Sequence, residues 1–159
     1  MLKRKPKTKA DFFKLERAVW DELNAVVADL SDEDWLKPGA VGEWCIRDVW
    51  VHLAGWMQFT PRAIPKFLQN KPVRIDIQEY NTKQIARAQK LQPAAARRRI
   101  EMERKNFLTF LKTLRQDDLL GNRRIYNWAS FTTYNHYVEH IPELAHFRRT
   151  RKQKNKRTA

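Results

Sequence analysis

The sequence predicts an all-α fold, a four-helix bundle with a short additional helix between the second and third long helices. Three observations carry this. Only four glycines and seven prolines occur in 159 residues, too few breakers for a many-stranded β-sandwich. Apolar residues recur at steps of three and four through four long segments. Residues 73–77 alternate as a strand would, but nothing convincing pairs with them, so they are read as extended loop. The chain is long enough for one continuous core, read as a bundle domain at 8–149 with basic tails at 1–7 and 150–159.

The first helix begins after Thr8, a side-chain cap, with Asp11 near the positive end of the helix. Phe12, Leu15, Val19, Leu23, Val26 and Leu30 form its apolar stripe. Ser31 to Trp35 reads as a short capped turn, and Pro38, Gly39 and Gly42 mark a loop. The second helix starts near Cys45, a thiol where Ser or Thr would cap better, with Asp48 as the capping-box partner. Trp44, Ile46, Val49, Trp50, Leu53 and Trp56 make this helix apolar on more than one face, which predicts a central position. Pro61 and Pro65 are expected to kink or break it. Gln78 to Gln89 reads as the short extra helix. Pro93 opens a third long helix to about Leu114. Residues 117–122 read as a loop and 123–128 as short and irregular. The fourth long helix is placed from about Ser130 to Arg149, with a bend at Pro142. Beyond Thr150 the polar, basic sequence predicts disorder.

The net charge of +14 is unevenly spread. Residues 1–10 hold five Lys/Arg and residues 148–159 hold seven, with no acid in either stretch. Of 32 basic residues, 20 therefore face all 18 acidic ones in between, a balance of only +2. Such mobile basic ends either contact nucleic acid through phosphates, without base readout, or serve solubility. No run of roughly eighteen uncharged apolar residues is present, so no membrane span is expected. The basic start has no apolar segment behind it, and the single Cys45 has no internal disulfide partner. Both point to the reducing cytoplasm.

Chemistry concentrates on histidines. His136 and His140 are spaced i and i+4, so on a helix both imidazoles leave one face a turn apart. His52 lies in the apolar second helix. Brought together, three neutral imidazoles suit Zn, Ni, Cu or Fe and leave a position open for water, substrate or an incoming thiolate. The competing reading makes His52 a core histidine satisfied by one hydrogen bond and His140 a surface partner of Glu139 or Glu143. His146 is rotated away from the pair and is read as structural. Cys45 lies about 10 Å along the helix from His52, too far to share one ion, and is read as a buried cap rather than a reactive thiol. Trp44, Trp56 and Trp128 flank the site in sequence and suit an apolar pocket. Tyr80 and Asn81, on a short helix that could act as a lid, and Tyr137 complete the candidate pocket. Trp20, Trp35 and Trp50 are assigned to the core.

The run Val41-Gly42-Glu43-Trp44-Cys45-Ile46-Arg47-Asp48-Val49-Trp50-Val51-His52-Leu53-Ala54-Gly55-Trp56 resembles the helix-two signature of the DinB-like four-helix bundle superfamily. Within it, the sequence is similar to the DfsB/ClbS-like (colibactin self-protection) group, which reads Gly-Glu-Trp-Ser/Thr-x-x-Asp-x-x-x-His-Leu-x-x-Trp there. Gln78-Glu79-Tyr80-Asn81 and Thr133 to His140 resemble that group's later motifs. The resemblance spans most of residues 8–149. It implies an up-down-down-up bundle, often a homodimer, with a divalent metal, Zn or Ni first, at His52, His136 and His140. It also implies a hydrolase or thiol transferase, the latter with a low-molecular-weight thiol, acting on a small electrophilic or toxic molecule in detoxification or self-protection. Cys45 in place of the Ser/Thr cap and the basic tails depart from the group's pattern. The tails keep an alternative in view, a non-enzymatic protein that sequesters a ligand or associates with nucleic acid.

Overall fold

The computed structural model describes residues 5–158, with side chains through residue 153. Seven α-helices follow in order: α1 (Lys9–Val27), α2 (Asp32–Leu36), α3 (Ile46–Leu68), α4 (Ile77–Ala88), α5 (Pro93–Thr113), α6 (Arg123–Thr132) and α7 (Tyr134–Thr158). A π-helical turn at Asp117–Gly121 joins α5 to α6. No named strand occurs among the described residues; residues 71–76 have no regular secondary structure, and Ile77, read as the end of that loop, is instead the first residue of α4.

Local chemistry starts these helices where the sequence places them. Thr8 and Ser31 each close a reciprocal capping box, with Asp11 and Asp34 respectively. At α3 the Asp48 carboxylate accepts from the Cys45 N–H at 3.2 Å. Asp76 caps α4 through the Glu79 N–H. Pro61 and Pro65 do not break α3, and α7 runs on through Pro142.

The four long helices are α1, α3, α5 and α7, and their directions follow from which ends meet. Phe12, early in α1, packs edge-on against Tyr134, early in α7. Arg148, late in α7, reaches Asp29 just beyond α1, so these two helices run parallel. Arg47 reaches the Leu91 carbonyl and Gln58 bonds Glu103, so α3 and α5 also run parallel. Lys9, at the start of α1, donates to the Lys112 and Leu114 carbonyls at the end of α5, so the two pairs oppose each other. The order is up-down-down-up. Helix α4 carries the chain back so that α5 can start beside the start of α3.

Helix α3 is the central element, with Ile46, Val49, Trp50, Val51, Leu53 and Ala54 all buried. Trp35 packs edge-on to Trp50, and Trp20 packs on Tyr137, the core roles expected for these tryptophans. A buried polar knot ties three long helices together. Arg104 of α5 forms two 2.7 Å bonds with Glu16 of α1, and the Tyr137 hydroxyl of α7 donates to Glu16 at 3.2 Å.

Three expectations need correction. Residues 123–128 are not irregular: the Asn122 side chain accepts from the Arg124 and Ile125 N–H groups and starts α6. The last long helix does not begin at Ser130, which lies inside α6; the chain breaks at Thr133 (φ −120°, ψ −122°) and α7 begins at Tyr134. The Thr133 hydroxyl turns back to the Ala129 carbonyl at 2.7 Å, satisfying an acceptor at the end of α6. Nor does order stop at Thr150, because α7 continues to Thr158. Arg151 bonds Asp34 at 2.7 Å and Lys152 pairs with Asp29, so the first turn of the basic segment is held against α2 and the residues that follow α1. At the other end, Lys5 bonds the Leu120 carbonyl and sits over the Tyr126 ring, while residues 1–4 lie outside the described residues.

Candidate metal centre

His52 projects from the second turn of α3, and His136 and His140 from the first two turns of α7, where the break at Thr133 sets the start of the helix. The fold brings all three together. His52 Nε2 and His136 Nε2 are 2.9 Å apart, one ring donating to the other. The His140 ring centroid lies 5.8 Å from that of His52 and 5.0 Å from that of His136. One nitrogen from each ring can be chosen so that all three lie within 4.8 Å of one another.

All three rings are buried, His140 the least at 9 % exposed. Burial lowers the His52 pKa to about 3, with the charge His140 would carry adding to it, and lowers His140 to about 4. His136 also falls well below its ordinary value, first through burial and then through its two neighbours. Near pH 7 all three are therefore neutral, the form that binds metal. His52 Nδ1, His136 Nδ1 and both nitrogens of His140 have no hydrogen-bond partner. Neither Glu139 nor Glu143 pairs with His140; both are exposed, which removes the surface-pairing reading.

Buried ring nitrogens without partners are costly, and a divalent ion would satisfy one on each ring. Metal–nitrogen bonds of about 2.0–2.1 Å hold donors no more than about 4.2 Å apart. The observed spacing needs only a small side-chain adjustment to meet that limit. The donor set contains no carboxylate or thiolate among the described residues. Cys45 is buried, its thiol raised above the ordinary range by burial, and it takes no part. His146 is exposed.

Aromatic rings wall the cluster. Trp44 lies 4.9 Å from the His52 ring and Trp56 lies 6.5 Å from it, edge to face. Phe131, at the end of α6, stacks on His136 at 4.9 Å with planes 16° apart. Asn81 of α4 accepts from the Trp56 indole at 3.2 Å, and the Tyr80 hydroxyl donates to the Gly55 carbonyl at 2.6 Å, so α4 is pinned to α3 beside the site. Two clefts lie beside this aromatic wall and share Ile77; the three histidines line neither. One of about 620 Å³ is lined by Trp44, Ile77, Gln78, Asn81, Thr82, Ile85, Ala86 and Gln89. The other, about 330 Å³, is lined by Trp56, Ile77, Asn127, Trp128 and Phe131.

Of the candidate pocket residues, Trp44, Trp56, Asn81 and Trp128 line these clefts, and Tyr80 packs on Trp56. Tyr137 does not join them. It faces α1, fully buried against Trp20 and Glu16. One position along a helix rotates a side chain by about 100°, so the neighbour of His136 had to point elsewhere. Phe131 and Ile77 escaped sequence reasoning. Phe131 is separated from the histidine pair by the helix break, and Ile77 ends the alternating run that reads as loop.

Residues 17–129 match the family described as the mycothiol maleylpyruvate isomerase N-terminal domain. The chain belongs to that family. Solved structures of low sequence identity share its fold. The colibactin self-resistance protein ClbS, crystallised with double-stranded DNA, superposes with a TM-score of 0.75 at 12 % identity, covering 91 % of this chain and 97 % of ClbS. An uncharacterised protein from Escherichia coli UTI89 gives 0.74 at 19 % identity, covering 92 % and 96 %. The sibling lethal factor precursor DfsB gives 0.70 at 14 % identity, covering 97 % and 98 %. No curated protein matches the sequence. In this member of the isomerase-domain family, the family match ends at residue 129, so it takes in His52 but stops short of His136 and His140.

Proposed function

We propose that this protein is a cytoplasmic divalent-metal enzyme, with Zn or Ni held by His52, His136 and His140, acting on a small, partly apolar electrophile in detoxification. The observation that carries the reading is the set of three buried, neutral imidazoles with unpartnered nitrogens converging from two helices. Held by His52, His136 and His140, a divalent ion would supply Lewis acidity to a water or a low-molecular-weight thiol. The protein's own groups do the rest. Trp44, Trp56 and Phe131 exclude bulk water from the imidazoles, and Asn81 holds the Trp56 indole in place. The amides of Gln78, Asn81 and Gln89 offer hydrogen bonds to a substrate entering the larger cleft. Membership of a family named for a mycothiol-linked isomerase favours a thiol as the second reactant.

The test is metal analysis of protein purified without a histidine tag, beside a His136→Ala/His140→Ala double variant. About one Zn or Ni per chain is expected in the wild type and almost none in the variant. Wild-type protein that neither carries the metal nor gains thermal stability when it is added would sink the proposal.

A second reading has one specific observation behind it: ClbS was crystallised with double-stranded DNA, and this chain carries a net charge of +14. Phosphate contacts through the basic ends predict DNA retention at low salt that falls steeply as salt rises and is lost when residues 1–10 and 148–159 are deleted. Absence of retention in low salt would dismiss it. No helix among the described residues is long and apolar enough to cross a membrane.

A further inference from the structure

We infer that the substrate is an uncharged molecule bearing a flat apolar ring, and that the ring seats in the smaller cleft, between Trp56, Trp128, Phe131 and Ile77. This names a substrate class for the proposed metal centre and rests on that reading.

Position comes first. Phe131 has one face stacked on the His136 imidazole while its ring also lines the cleft. Trp56 contacts Phe131 at 6.0 Å, Trp128 at 6.2 Å and His52 at 6.5 Å. A ring held there is one side chain away from two of the three imidazoles. At about 330 Å³ the cleft falls at the lower end of small-molecule sites.

Exposure is the second observation. Phe131 is 38 % exposed and Ile77 57 %, two of the few large apolar side chains left open to solvent, and both border this one cleft. A flat ring would bury both and complete the edge-to-face cluster that Trp56, Phe131 and Trp128 begin.

Charge decides the class. Charged residues make up 31 % of the chain, yet no Lys, Arg, Asp or Glu lines either cleft. Arg123 and Arg124 line the neighbouring grooves beyond Asn127 and Trp128 but neither of these clefts, so a carboxylate seated in either would lose hydration with no cationic lining side chain to receive it. A dicarboxylate would carry a second charge with nothing to pair with beyond the metal itself. Neutral hydrogen-bonding groups are present instead: Asn127 at the rim of the smaller cleft and the amides of Gln78, Asn81 and Gln89 in the larger. They suit a carbonyl or hydroxyl on an otherwise apolar molecule.

The test uses two probes with one ring system, neutral 2-naphthamide and anionic 2-naphthoate, titrated into full-length protein as purified and followed by tryptophan fluorescence. Naphthamide should bind at least about tenfold more tightly. Phe131→Ala should weaken it about fivefold, and Asn127→Arg, at an exposed rim position, should bring naphthoate to parity. Equal or tighter naphthoate binding to the wild type, no naphthamide binding, an unchanged Phe131→Ala variant or an unchanged Asn127→Arg variant would each overturn the assignment. Metal content measured on the same preparation separates the two ideas. Naphthamide selectivity without metal leaves the cleft standing and removes the metal centre. One metal per chain with naphthoate preferred does the reverse.

Discussion

His140 has no hydrogen-bonding partner on either ring nitrogen although only 9 % of its surface reaches solvent. A core histidine retained only for packing would be expected to satisfy at least one nitrogen. With His52 and His136 it makes a cluster whose protonation opposes folding. The folded pKa values of His52 and His140, about 3 and about 4, lie below the unfolded value of 6.5. Between those limits the unfolded chain binds more protons, so stability falls as pH drops below about 6.5 and is insensitive to these rings above it. Each ring accounts for up to about 3 kcal/mol by pH 4. Urea midpoints of metal-free protein should therefore fall between pH 6.5 and 4, and fall less in a His140→Phe variant; parallel profiles would contradict it. Much of this site was legible in the residues. The i, i+4 spacing aligned His136 with His140, and the family pattern added His52. Phe131 was hidden because helical periodicity cannot be carried across the break at Thr133, and Tyr137 was misplaced by sequence adjacency alone.

Helix α4 owes its seat to a missing side chain. A Cβ on Gly55 would meet the buried Gln84 side chain at 2.7–2.9 Å, so with Gln84 packed here α4 can lie this close only over a glycine. That approach sets Tyr80 against the Gly55 carbonyl and Asn81 against Trp56, beside the imidazoles. Alanine would gain helix propensity of about 1 kcal/mol but incur about 1–3 kcal/mol of overpacking. Gly55→Ala should thus destabilise by about 1 kcal/mol and weaken ligand binding in the adjoining clefts, while adding Gln84→Ala should relieve the clash. A double-mutant cycle with no coupling would refute the contact. Element existence was readable wherever long stripes repeat, as in α1, α3 and α5. Helix α6 was missed because ten residues give too little periodicity, although the Asn122 cap was a signal available in the sequence.

At the scale of the molecule, the up-down-down-up order leaves α3 and α7 to build one site while Glu16, Arg104 and Tyr137 lock the opposite side of α7 to α1 and α5. The charge count identified basic ends but could not show that Arg148, Arg151 and Lys152 fold back onto Asp29 and Asp34, acids more than a hundred residues away. Burial alone would raise the Asp34 pKa, but bonds from Arg151 and Ser31 outweigh it and hold the carboxylate below its ordinary value. Deleting residues 150–159 should therefore lower stability by about 1–2 kcal/mol in chemical denaturation, with metal content unchanged; a loss of metal on truncation would show that the basic segment shapes the site. The central claim is that three imidazoles hold one metal ion, and an anomalous difference map tests it most directly. Crystals of untagged protein, measured either side of the Zn or Ni absorption edge, should show one peak bounded by His52, His136 and His140. No peak there, with His52 and His136 still hydrogen-bonded ring to ring, would contradict it.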